Sequence, residues 1–154
     1  MPALFRRILV PYDFSKSAAK ALGVGADLAA RHDGSLLVVH AIPPVYPTHG
    51  RPIPPSAGEV AMVEARLVED VARIVRGRRV GRVRSRVMIG PPAGCILEAA
   101  RRADAIVMGT LGRSGLPHLL LGSVAERVIR HAEVPVLTVR AGARSRRRAD
   151  ADGA

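Results

Sequence analysis

The chain has 154 residues, enough for one domain with a substantial core, and its hydrophobic fraction of 48 % argues against wholesale disorder. The net charge is +11, from 24 basic against 13 acidic residues, yet only two Phe, two Tyr and no Trp are present. Single-strand nucleic-acid readers pair basic grooves with stacking aromatics, so nucleic-acid binding is not expected as the main function. The lone cysteine, Cys95, excludes an internal disulfide and a cysteine metal cage, and it suits a reducing compartment. With no leader or membrane span visible in the sequence, the expectation is a cytoplasmic protein.

With so few aromatics, the core has to come from Val, Leu, Ile and Ala. Five aliphatic runs read as buried strands: Ile8 to Val10, Leu36 to Ile42, Val83 to Ile89, Ala105 to Met108 and Val134 to Val139. Helical periods lie between them. The first spans about Lys16 to His32, with Ser15 as N-cap and Gly34 closing it. Val60, Val63, Leu67, Val71 and Ile74 form one face of the second, which Gly77 stops. The third follows Pro91 and Pro92, with Ile96, Leu97 and Ala100 inward; the fourth starts near Gly122 and carries Val124, Val128 and Ile129. Strict alternation of strand and helix predicts an α/β fold, a doubly wound open sheet of parallel strands. The stretch from Pro43 to Ala57 holds six prolines and reads as a long irregular loop. Residues 142–154 read as a basic disordered tail after a domain of residues 1–141.

The segment from Met108 to Ser123 carries the chemistry. A strand ends at Gly109 and the next helix opens at Gly122 or Ser123, which leaves a glycine-rich loop about twice the usual length of 2–6 residues. Glycines let backbone N–H groups approach an anion, and a helix N-terminus supplies unpaired amides at its positive end. Gly122, Ser123 and Val124 occupy that terminus, while Arg113 and His118 lie within reach in the loop. A second wall comes from Pro11, Tyr12 and Asp13 at the end of the first strand, placing the site at the sheet's switch point. A Cβ added at both Gly109 and Gly122 is expected to obstruct phosphate while leaving the fold intact.

The spacing Gly109-x2-Gly112-x9-Gly122-Ser123 resembles the ATP-binding signature G-x2-G-x9-G-[ST] of the universal stress protein family. Ile8 to Ser15, Val38 to Ala41, Gly90-x-Pro92-Ala93 and the run from Leu121 to Leu137 are similar as well, so the resemblance covers about residues 5 to 140. It implies five strands in the order 3-2-1-4-5 and an adenine-nucleotide cofactor, ATP with or without Mg²⁺. It further implies Asp13 and Gly109 near the ribose, Pro11 beside the base, and the Ala41 backbone on adenine. Gly112, Gly122, Ser123 and Val124 would then hold phosphates, with Met108 at the strand end beside them. The family also implies a homodimer through the last strand.

His40, in an apolar strand, reads as a hydrogen-bonded core histidine, and Cys95 as buried and inert. Three function classes follow: an ATP-binding regulatory module, a slow Mg-dependent ATPase or phosphotransferase, and a nucleotide-free dimeric scaffold. The intact glycine signature disfavours the scaffold. Against the enzyme, there is no G-x4-G-K-[ST] loop and neither lysine falls in the glycine-rich segment.

Overall fold

Side chains on a strand alternate between faces, and here both faces are aliphatic, so helices must cover both. The computed structural model describes residues 5–111 and 121–142. Their elements run β1 (Arg7–Pro11), α1 (Lys16–Arg31), β2 (Ser35–Ile42), α2 (Ala57–Val75), β3 (Arg82–Ile89), α3 (Pro92–Ala100), β4 (Ala105–Gly109), α4 (Ser123–His131) and β5 (Val136–Val139). The strands form one parallel sheet in the order β3-β2-β1-β4-β5, as expected. Ile8, Val10, Leu36, Val38, Ala105 and Val107 face α1 and α2, where Leu22, Leu67 and Val71 meet them. Leu9, Val39, Ile106 and Met108 face α3 and α4, against Ile96, Ala125 and Val128. Each buried Val, Leu, Ile or Met among them stabilises the fold by about 1.5–3 kcal/mol relative to exposure.

Local signals set the helix ends. Ser15 caps α1, its side chain accepting the Ala18 N–H at 3.2 Å. Ser56 and Glu59 form a reciprocal capping box that starts α2 at Ala57. Gly77, with φ of +80°, follows the end of α2 in the left-handed region. The Pro-rich stretch is mostly irregular, but Val45 and Ile53 exchange two backbone bonds at 2.9 and 2.8 Å and pinch it into a closed loop.

Three expectations need correction. The strand expected from Val134 begins at Val136, because Pro135 brings no N–H to the ladder. Ile129 is 44 % exposed, and α4 buries Ala125 and Val128 instead. In α3, Ile96 and Ala100 are buried, while Leu97 is only partly so. The expected tail lies almost wholly outside the described residues.

Candidate functional site

β1 and β4 are neighbours at the middle of the sheet, and the helices that follow them leave on opposite faces. That divergence opens a cleft of about 420 Å³ at the carboxyl ends of the strands. Nine residues expected from the sequence line it: Pro11, Tyr12, Asp13, Ala41, Met108, Gly109, Gly122, Ser123 and Val124. Gly112 and Arg113, like His118, lie outside the described residues. The sequence reading missed Ser15, Ser17, Thr110 and Ile96, and treated His40 as core; all five line the cleft.

On the α1 side, the polar groups satisfy one another. Asp13 Oδ1 accepts the Ser15 N–H at 3.0 Å, a turn that delivers the chain into the helix. The buried Ser17 hydroxyl donates to the Leu111 carbonyl, tying α1 to the segment after β4. Phe14 between them has φ of +65° and is clamped by the rings of Tyr12 at 5.2 Å and His40 at 4.9 Å, with Arg66 4.2 Å above its face.

The α4 side differs. Gly122 is its N-cap and has no side chain to offer. The first intrahelical bond runs from the Glu126 N–H to the Gly122 carbonyl at 2.9 Å. The amides of Ser123, Val124 and Ala125 precede it and open at the positive end of the helix dipole. The Gly122 N–H is not among them: it donates to the Thr110 carbonyl at 2.6 Å. The open amides at this terminus are therefore those of 123–125, where 122–124 were expected.

Gly109 lines the cleft, but the expectation that a Cβ there leaves the fold intact needs correction. A Cβ there would lie 2.5 Å from Ser17 Oγ, 2.9 Å from the Ser17 carbonyl carbon and 3.0 Å from the Ala18 nitrogen. Its bare backbone admits the first turn of α1, so a methyl group at this position would disturb the fold and not only a ligand.

Tyr12 contributes wall more than contact. Its hydroxyl donates to Asp70 on α2 at 2.8 Å, its N–H donates to the Val39 carbonyl at 2.8 Å, and its own carbonyl accepts from His40 Nδ1 at 2.7 Å. A carbonyl partner fixes the proton of His40 on Nδ1. Burial, then the Asp70 hydrogen bond, pushes the Tyr12 hydroxyl far above its ordinary range, so it stays protonated. The Arg73 guanidinium holds Asp70 below the usual carboxylate range. Thr110 completes the floor. It is only 5 % exposed, and its hydroxyl has no hydrogen-bond partner among the described residues.

The model of the Universal stress protein family matches residues 4–140. The chain belongs to this family. Among similar universal stress proteins, one from Thermus aquaticus is 39 % identical over 139 residues, covering 89 % of this chain and 100 % of the relative. A universal stress protein solved in complex with cAMP aligns with a TM-score of 0.68 at 25 % identity, over 89 % of this chain and 98 % of that one. The universal stress protein of Archaeoglobus fulgidus in complex with dAMP gives 0.66 at 25 % identity, over 88 % and 98 %. In this member of the family, Cys95 is buried on α3, and burial, then the nearby Glu98, pushes its thiol up and keeps it protonated. No described helix is long and apolar enough to cross a membrane.

Proposed function

We propose that the cleft binds an adenine nucleotide, with ATP as the form that fills it, and that occupancy makes this chain a nucleotide-responsive regulatory module in stress response. One observation carries the reading: the amides of Ser123, Val124 and Ala125, open at the start of α4, border the same cleft as Asp13, Ala41 and Thr110. Orphan helix amides suit phosphate, and a cleft of about 420 Å³ is of the size that small-molecule ligands occupy. The cAMP and dAMP complexes of similar proteins support the adenine class.

In this assignment Pro11 flanks the base and the Ala41 backbone reads its edge. Asp13 bonds ribose hydroxyls beside Gly109 and Met108, and the amides of 123–125 take the first phosphate. Gly112 and Arg113 belong to the phosphate end by their place in the signature. Asp13 is the one carboxylate among the described residues lining the cleft, so a Mg²⁺ arrives held mainly by the nucleotide's own phosphates. Phosphoryl transfer needs a fuller set of positioned charges, which places binding ahead of turnover.

The nucleotide-binding unit is residues 1–141, and the buried thiol of Cys95 fits a reducing cytoplasm. Its second partner is another copy of the chain, docked at β5. That edge strand carries no charge over Val136–Val139, and its Leu137 is 47 % exposed. The opposite edge, β3, carries Arg82, Arg84 and Arg86, all exposed, and like charges oppose pairing there.

Mass spectrometry of nucleotide released from purified protein, with calorimetric titration by Mg-ATP, tests the cleft. Bound or co-purifying adenine nucleotide is expected; its absence by both routes leaves the dimeric scaffold. Sedimentation tests the edge: Leu137→Lys is expected to turn a dimer into a monomer, and a monomeric wild type would remove the proposed interface.

A further inference from the structure

The cleft does not end at the first turn of α4. A shallow groove of about 590 Å³ continues from it over α3 and α4, sharing Pro92, Ser123 and Val124 with the cleft. The groove's ionisable side chains are Glu126, Arg127, Arg130 and His131. Two of them are already matched, because Arg130 Nη2 donates to Glu126 Oε1 at 3.0 Å. Arg127 differs. The positions three and four residues either side of it are Ser123, Val124, Arg130 and His131, so its own helix face offers it no carboxylate. Among the described residues no ion pair engages it.

Its direction matters as much as its freedom. Cα–Cβ bonds tilt toward a helix's N-terminus, and Arg127 lines the groove together with Ser123, one turn earlier on the same face. That is the end at which the amides of 123–125 open. The helix dipole supplies roughly half a positive charge there, a match for one phosphate and not for three. A guanidinium stays charged at every working pH, and its fork of donors fits phosphate oxygens.

We propose that this groove is a second phosphate subsite, in which Arg127 takes the outer phosphates of a nucleotide whose first phosphate sits on the α4 amides. The inference rests on the assignment of the cleft to an adenine nucleotide and deepens it: Arg127 makes the site favour a triphosphate over a monophosphate. Because Arg127 is exposed, the preference weakens as salt rises.

The test is calorimetric titration of the whole chain with AMP, ADP and ATP at fixed Mg²⁺, for wild type, Arg127→Gln and Arg127→Lys. Arg127→Gln is expected to weaken ATP binding about tenfold and AMP binding by less than about twofold, the scale of one partly screened charge-assisted contact. Arg127→Lys restores part of the ATP affinity, because the charge returns without the fork. Equal losses for AMP and ATP, or an unchanged ATP affinity, overturn the subsite while leaving the cleft assignment standing. A wild type that binds none of the three overturns the cleft assignment itself. Thermal melting of the ligand-free variants is expected to match wild type; a shared loss of stability would mark a structural role and count against the proposal.

Discussion

Two helices, α1 and α4, begin at the same cleft, and their first turns are satisfied in different ways. At α1, Ser15 accepts the Ala18 amide, Asp13 accepts the Ser15 amide and Ser17 donates to Leu111, so neighbouring side chains close the turn. At α4 the cap is a glycine, and only the Gly122 N–H is engaged, by the Thr110 carbonyl. Both helices have a dipole with its positive end at the cleft, so the dipole does not distinguish them. The difference lies in the caps. The Ser15 cap takes up the α1 amide of Ala18, whereas Gly122 takes up none at α4, which leaves the bare terminus more donors for a ligand.

The strongest way to break this contrast is Gly109→Ala. The added methyl group would press into the backbone of the α1 first turn, with the shortest contact 2.5 Å from Ser17 Oγ. Overpacking of this kind costs about 1–3 kcal/mol. Denaturation is expected to show a lower midpoint with an unchanged slope, and nucleotide binding falls along with stability. A variant as stable as wild type that no longer binds would make Gly109 a direct ligand contact and move the receptor toward α1.

Ser123→Pro sharpens the contrast from the other side. Ser123 is the first residue of α4, where proline is well tolerated, and Gly122 before it is already extended with ψ of 157°. The substitution removes one cleft amide and one hydroxyl without breaking the helix. Nucleotide affinity is expected to fall by about tenfold or more, on the scale of a lost hydrogen bond to a charged group, with little change in melting temperature. Undiminished affinity in calorimetry would show that the α4 amides are not the receptor.

Much of this arrangement was legible in the sequence, for a physical reason. Aliphatic runs bounded by glycine and proline mark buried parallel strands, and Ser15 ahead of a helical period marks a cap. The cleft followed from β1 and β4 being adjacent, which the resemblance implied. The capping box of Ser56 and Glu59 carried a readable S-x-x-E signal that the proline count of its neighbours obscured. Other features were not readable. That Gly109 makes room for Ser17 depends on how closely α1 approaches β4, and no local pattern encodes that distance. The Gly122 amide looks free in sequence because its partner, the Thr110 carbonyl, lies across a long connection. His40 reads as a hydrogen-bonded core histidine, and it is buried with Nδ1 donating to the Tyr12 carbonyl; only its place at the lip of the cleft is a tertiary fact.

The smallest effect is expected from Ser15→Ala, and it tests the capped side by itself. Losing an N-cap hydroxyl costs about 1 kcal/mol and leaves the Ala18 amide without its acceptor. Ser15 lines the cleft as Ser123 does, so a site that used both helix ends would lose affinity at either substitution. The contrast drawn here predicts otherwise: stability falls by about that amount, and nucleotide affinity stays within about twofold of wild type. A large loss would mean that the Ser15 hydroxyl serves the ligand. A clear gain would mean that uncapping alone turns a helix terminus into an anion receptor, and Ser15 would then be what keeps α1 from competing with α4 for phosphate.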